Sequence, residues 1–251
     1  MTKPGIALQL YTVRNLAHDL DVLLGAVAAA GYRAVETAGD YGQDLRSWQE
    51  LLSKHDLRVV SSHVSLEALR TDLKRAIAFQ TALGNRTLVV PWLAERPGNA
   101  AGWQALGSEL AGFAQRCREH GTTLLYHNHD FEMVEIEGRL ALDWLLEDQA
   151  LGLEPDLAWM VRGGRDPLAL LKRFAGRCPR AHIKDIAPEG HNRDQGGWAD
   201  VGYGVMDWPA LIPATIAAGA EWLIVEHDQP KDPLLTVRRS YQWLTDALTR
   251  L

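Results

Sequence analysis

The strongest constraint in this chain is a repeated alternation of short β-type apolar runs with longer segments whose apolar residues recur at helical spacing. The runs Ile6–Leu10, Ala34–Glu36, Arg58–Ser62, Thr87–Val90, Thr123–Tyr126, Leu151–Pro155, Ala181–Asp185 and Leu223–Glu226 read as eight strands. Amphipathic stretches near 19–30, 43–55, 66–83, 100–120, 140–149, 166–175, 207–218 and 233–250 follow them one for one. In the first stretch Leu20, Leu23, Leu24, Val27 and Ala30 share one stripe, and Gly31 supplies a left-handed cap. Parallel strands need right-handed helical crossovers, and eight of them close around packed side chains. The pattern therefore predicts an α/β fold, a (β/α)8 TIM barrel, with residues 1–251 as a single domain. A doubly wound open sheet would want a Gly-rich phosphate loop after the first strand, where this chain reads Gln9-Leu-Tyr-Thr-Val-Arg14.

Composition narrows the partners. Twenty-six basic against 32 acidic residues give a net charge of −6, which argues against nucleic acid, because a polyanion binder needs a basic face. Cys117 and Cys178 are the only cysteines, too few for a disulfide framework and without a CxxC spacing for zinc. No signal-like N-terminus and no run long enough to span a bilayer is present, so the expectation is a cytoplasmic protein with a small-molecule partner and no membrane. Tyr241 and Trp243 in the last helix are read as core by default, with a homo-oligomer interface as the alternative.

In such a barrel the C-terminal strand ends gather at one mouth, and here they are rich in metal-ligand residue types. Strand two ends in Glu36, strand three runs into His63, and strand five into Tyr126-His-Asn-His-Asp-Phe-Glu132. Strand six leads to Asp156, strand seven holds His182-Ile-Lys184-Asp185, and strand eight ends in Glu226-His227-Asp228. Carboxylates and imidazoles without thiolates suit one divalent metal ion, Mn or Mg before Zn or Co. The expected ligands are Glu132, Asp156, His182 and Glu226, from four successive strands. His63 is weighed evenly between a structural residue and a substrate contact, and Glu36 between a substrate contact and a buried partner for a basic side chain. His127 and His129 alternate along an extended segment, so one of them is expected to face the barrel. Trp92 and Trp159, just past strands four and six, are either core or an aromatic wall for a sugar's apolar face.

Taken together, Gly5-Ile-Ala-Leu-Gln-Leu-Tyr-Thr-Val-Arg14, Val35-Glu36, Tyr126-His-Asn-His-Asp-Phe-Glu132, Asp156-Leu-Ala-Trp159, His182-Ile-Lys-Asp185, Val201-Gly-Tyr-Gly-Val-Met-Asp-Trp208 and Val225-Glu226 resemble the xylose isomerase-like TIM-barrel superfamily. This sugar phosphate isomerase/epimerase group includes ketose 3-epimerases, inosose dehydratases and endonuclease IV. The resemblance implies one divalent metal held by two Glu, one Asp and one His, with the two Glu handling protons on opposite faces of a ketose. Asp156, His182 and Glu226 match those positions. The first Glu does not: strand five ends in Tyr126 and His127, and Glu132 lies further along. Endonuclease IV is disfavoured by Trp159 and Trp198 standing where further zinc ligands are expected.

The implied activity is a metal-dependent sugar isomerase or epimerase of carbohydrate metabolism, acting by proton abstraction next to a carbonyl. Glu226 and Glu132 are the expected catalytic pair, with His63, Lys184, Trp92, Trp159, Glu36 and His129 lining the substrate. The alternative enzyme is a lyase or dehydratase acting on a keto-cyclitol or 3-keto-glycoside, favoured by the missing strand-five glutamate. A non-catalytic sugar-binding barrel is the third reading, opposed by the retained Glu226, Asp156 and His182.

Overall fold

The structure, a computed structural model, describes residues 3–250. Eight parallel strands form the central sheet: β1 (Gly5–Gln9), β2 (Ala34–Ala38), β3 (Arg58–His63), β4 (Thr87–Val90), β5 (Thr123–His127), β6 (Gly152–Glu154), β7 (Arg180–Ile183) and β8 (Trp222–Val225). Each pairs with its sequence neighbours, β8 pairs with β1, and an isolated parallel bridge between Asp156 and His182 joins β6 to β7. The eight strands thus stand as the nearly closed barrel that the alternation predicts.

Nine α-helices are described: α1 (Leu20–Ala29), α2 (Leu45–Lys54), α3 (Leu66–Ala82), α4 (Ala100–Glu119), α5 (Ala141–Leu145), α6 (Leu157–Arg162), α7 (Pro167–Arg173), α8 (Trp208–Ala217) and α9 (Pro233–Thr249). Side chains of Asp19, Asp44, Ser65, Asn99, Asp166, Asp207 and Asp232 accept the free N–H groups of first turns, which is why these helices start where they do. None of the described helices is long and apolar enough to cross a membrane.

The sequence pattern misses α6 and overruns α5. The six residues of α6, capped by Gly163, are too few to show helical periodicity, and the segment 146–151 forms turns and bends instead of helix. Leu10, expected to end β1, instead opens a 3-10 helix, Leu10–Leu16, whose start is tied by the Gln9 side chain accepting from Tyr11 N.

Along the strands, side chains alternate between the lumen and the helical layer. Leu8, Val35, Val59, Leu88, Leu124, Tyr126, Leu153, Ile183, Leu223 and Val225 face outward and join the large core shared with the helices. Tyr241 packs on Tyr32 with ring centroids 4.7 Å apart and Trp243 packs beside Trp208 at 6.3 Å, so the last helix uses both as core.

Candidate metal centre

Inward positions differ in character with depth along the strands. Ala7, Ala34, Val60 and Ile224 form a separate small apolar cluster in the lumen, with Trp222 packed against it. Towards the C-terminal ends the same strands carry Gln9, Glu36 and Glu226 two residues on and His63 three residues on, joined by His127, Glu154 and His182 from β5, β6 and β7. A register shift between β2 and β3 at Val35/Glu36 sets His63 opposite Ala38, one residue lower on β2 than uninterrupted pairing, which would set it opposite Gly39.

Two overlapping four-residue groups result, each with donor atoms within 4.8 Å of one another. The outer group is His127, Asp156, His182 and Glu226, and the inner one is His63, His127, Glu154 and His182. His182 spans both layers: its Nδ1 lies 3.0 Å from Glu226 Oε2, and its Nε2 lies 2.6 Å from Glu36 Oε1 and 3.2 Å from Glu154 Oε2. His127 does the same, with Nε2 3.9 Å from Asp156 Oδ2 and Nδ1 3.3 Å from Glu154 Oε2. Above them the buried Lys184 ammonium lies 3.0 Å from Asp156 Oδ2, 2.7 Å from Glu226 Oε2 and 2.8 Å from Asp228 Oδ1.

Local structure divides the labour of Asp156. Its Oδ1 accepts the Trp159 N–H at 2.9 Å and so caps α6, while Oδ2 is buried with no well-formed hydrogen bond and faces His127 and Lys184. Asn128 locks the two strand ends together, donating to Asp156 O at 3.2 Å and accepting from Asp156 N at 3.1 Å. Glu36 Oε2 and Glu154 Oε1 are likewise buried without partners.

The charges are strongly perturbed. Burial alone would raise Glu226, but Lys184 and His182 outweigh it and hold the carboxyl well below its usual range. Burial also opposes the charge on Glu36, yet His63 and His182 keep it well below the carboxylate norm. Burial pulls His182 down, and Glu154, Glu226 and Glu36 override it to place the ring well above an ordinary histidine. For His63 the same contest, won by Glu36 and Glu154, ends at about 9. His127 goes the other way: burial and the neighbouring His182 leave it a neutral ring, the form that binds metals. Asp156, Glu226 and Asp228 face Lys184 while Glu36 and Glu154 face His63 and His182, so five carboxylates meet three cationic groups, a local excess of negative charge that suits a divalent cation.

The expected site residues are not all brought together. Asp156, His182 and Glu226 meet in the outer group with Lys184 beside them, and Glu36 and His63 lie in the layer below. Glu132 belongs to neither group. It sits on a short 3-10 turn, Phe131–Met133, where it accepts the Tyr126 hydroxyl and the His129 N–H, the latter at 2.8 Å. Tyr126 points to the helical layer because it precedes the inward His127, so the carboxylate it holds is drawn away from the lumen. His129 does not point away from His127 as expected, because residues two apart in an extended segment share a face. The strand ends at His127, the backbone turns at Asn128, and the two rings sit 5.1 Å apart.

His129 instead joins a band of aromatic rings along one side of the mouth. Centroid separations are 4.9 Å from Trp92 to His129, 5.2 Å from His129 to Trp159 and 4.8 Å from Trp159 to Trp198. Trp92 is 48% exposed at the edge of this band. Sequence reasoning passed over Glu154 and left His127 undecided. The available signal was parity: Glu154 and Asp156 are two apart, as are His127 and the outward-flanked Leu125, so both belong to lumen-facing rows.

The xylose isomerase-like TIM barrel family model matches residues 24–247. The chain belongs to that family. A member from Lacticaseibacillus casei, named inosose dehydratase, is 24% identical over 238 residues, covering 80% of this chain and 79% of its own. Among solved structures, a sugar phosphate isomerase/epimerase from Parabacteroides distasonis superposes with a TM-score of 0.82 at 22% identity, covering 98% of this chain and 95% of its own. The IolI protein, solved with a bound zinc atom, superposes with a TM-score of 0.74 at 16% identity, covering 98% of each chain. The curated relatives of this xylose isomerase-like barrel are enzymes, and at these identities the structural likeness speaks for the fold.

Proposed function

We propose that this barrel is a metal-dependent lyase or dehydratase that removes a proton next to the ketone of a keto-cyclitol or 3-keto-glycoside and expels a β-substituent. One observation carries the reading. At the mouth, Glu226 faces the Lys184 ammonium at 2.7 Å, whereas Glu132, the second carboxylate that a two-base epimerase needs, is held by Tyr126.

The residues fit a divalent ion: His127, Asp156, His182 and Glu226 supply two imidazoles and two carboxylates, and Asp156 Oδ2 lacks a well-formed hydrogen bond. Replacing Glu132 by His127 in the set moves the preference away from Mg towards Mn, Zn or Co, which accept imidazole nitrogen more readily. When bound there, such an ion would polarise a ketone and its neighbouring hydroxyl and stabilise the negative charge that develops on deprotonation.

The chain's own groups do the rest. Glu226, kept ionised by Lys184 and His182, accepts the proton from the carbon beside the ketone. Lys184 donates its proton to the departing oxygen as the carbon–oxygen bond breaks, so the product is an enone plus water or a free alcohol. Lys184 is held well above the ordinary lysine value because Asp156, Asp228 and Glu226 outweigh its burial, so it stands charged until that bond begins to break. Trp92 and Trp159 stack on the ring's apolar face and His129, a neutral ring pushed down to about 3 by burial and by Lys184, accepts a hydrogen bond from a substrate hydroxyl.

The test is metal analysis followed by incubation in deuterated water with a keto-cyclitol, a 3-keto-glucoside and a panel of ketoses. Release of water or aglycone with Mn, Co or Zn present is expected. Deuterium exchange with every oxygen retained would make the protein an isomerase or epimerase instead. No exchange in any substrate, with metal bound, would leave a sugar-binding barrel.

A further inference from the structure

The outer group is only half of the cluster. Beneath it lie Glu36, His63 and Glu154, which the proposed chemistry does not use, and of which Glu36 and Glu154 are fully inaccessible to solvent. They are too deep to meet a substrate at the mouth, and burying two carboxylates without function is costly.

Their atoms point to a role. Each histidine of the outer group has two ring nitrogens, and each turns one of them inward. His182 Nε2 reaches Glu36 Oε1 at 2.6 Å while its Nδ1 faces Glu226; His127 Nδ1, buried without a well-aligned hydrogen bond, lies 3.3 Å from Glu154 Oε2 while its Nε2 faces Asp156. Imidazole can bind a metal only through an unprotonated nitrogen, so the nitrogen that carries the proton decides which way the ring can coordinate. A carboxylate behind the ring takes that N–H and leaves the other nitrogen bare.

We propose that Glu36 and Glu154 are positioning residues that take the inward N–H of His182 and His127, so that both rings present their outward nitrogens to a divalent ion in the mouth. His63 completes the layer. Its Nε2 is 3.0 Å from both Glu36 Oε1 and Glu154 Oε2, so a single imidazole spaces the two carboxylates that would otherwise repel. Gln9 Nε2, donating to Glu36 Oε1 at 2.6 Å, fixes that carboxylate from the side. The two groups that overlap at His127 and His182 are then one site with a floor, holding one ion.

This inference rests on the metal reading, and the experiment separates the two. Co(II) is titrated into wild type, Glu36→Ala, Glu154→Ala, Glu36→Gln and Glu154→Gln, reading the visible absorption bands and the ion count per chain. Ile224→Ala, a lumen substitution in the apolar ring below, serves as the control for mere loosening of the barrel. Wild type should bind one ion. Each Ala variant should weaken Co(II) by about 10–100-fold and shift its visible bands. The Gln variants, whose amide oxygen still accepts an N–H, should recover part of the loss, and the control should retain wild-type affinity and bands. Unchanged affinity and spectrum in both folded Ala variants would overturn the positioning role while leaving the metal site standing. Two ions in wild type would overturn it as well, since the inner residues would then be ligands themselves. Failure of wild type to bind any divalent ion would overturn the metal reading, and the inference with it.

Discussion

The two ends of the lumen are built on the same strands and lie two or three residues apart along them. At the N-terminal end Ala7, Ala34, Val60 and Ile224 pack as a small apolar plug, and at the C-terminal end Gln9, Glu36, His63 and Glu226 hold a charged, hydrogen-bonded cluster. The lower end carries a buried cation too, but of a different kind. Arg180 pairs at 2.9 Å with Glu221, which is 68% exposed, and donates to Val60 O, so its charge is satisfied and open to water. At the upper end the charges are closed in with one another. A side chain in this barrel therefore acquires its role from depth along the strand, with stability set below and chemistry above.

The comparison is best broken from the top. Asp156→Ala and His182→Ala should each remove bound metal and lower turnover by about 10³-fold or more, the worth of several kcal/mol of lost charge stabilisation. Undiminished metal content in both variants, measured by elemental analysis, would sink the outer group as the site.

A paired experiment sets the two ends directly against each other. Ile224→Ala should cost about 2–5 kcal/mol of unfolding free energy in urea while preserving metal binding by the molecules that remain folded. Glu226→Gln should abolish turnover without a comparable loss of stability, because it removes a charge from an over-acidic cluster. The opposite pattern, with Ile224→Ala the catalytically damaging change, would erase the division between ends.

Glu132 sharpens the boundary of the cluster. Burial pushes its carboxyl up to about 7, against hydrogen bonds from Tyr126 and the His129 N–H. The folded protein then binds this proton more tightly than the unfolded chain does. The resulting stabilisation is present below about 4.5 and is lost as pH rises through about 7, amounting to at most about 3 kcal/mol. Urea midpoints measured from pH 5 to 8 should fall with pH in wild type and fall less in Glu132→Gln. Equal slopes would mean that the carboxyl titrates normally.

The smallest effect belongs to the open pair at the lower end. Glu221→Gln should change stability by under about 1 kcal/mol, because its carboxylate is mostly in water. A larger loss would show that Arg180 depends on it more than its other bonds suggest.

Much of this was legible in the sequence, for physical reasons that differ by residue. Each barrel strand announces itself because its outward and inward residues are both buried, giving short apolar runs. Glu36, Asp156, His182 and Glu226 stand out because a charge directly after such a run is costly unless used. Glu154 was hidden because it ends its strand just before Pro155, where one acid after apolar neighbours looks incidental beside Asp156. Glu132 was overweighted because linear distance from β5 says nothing about which side of the strand a turn returns to, and the Tyr126 hydroxyl settles that. His127 and His129 fall on one side because residues two apart share a face, a parity that persists just past the strand end at His127. α6 is invisible to periodicity, yet Asp156, three residues ahead of Trp159, is an ordinary capping signal.

That cap has a consequence for how the substrate range of such a protein can change. One carboxylate both starts the helix that carries Trp159 and offers its other oxygen to the cluster, so the aromatic wall and the charged site share an anchor. A variant that reshapes the wall by shifting α6 drags the anchor with it and loses activity on old and new substrates alike. Laboratory selection for a new sugar should therefore accumulate changes around Trp92 and the segment 91–99, which no shared atom ties to the centre, and leave Leu157–Arg162 untouched.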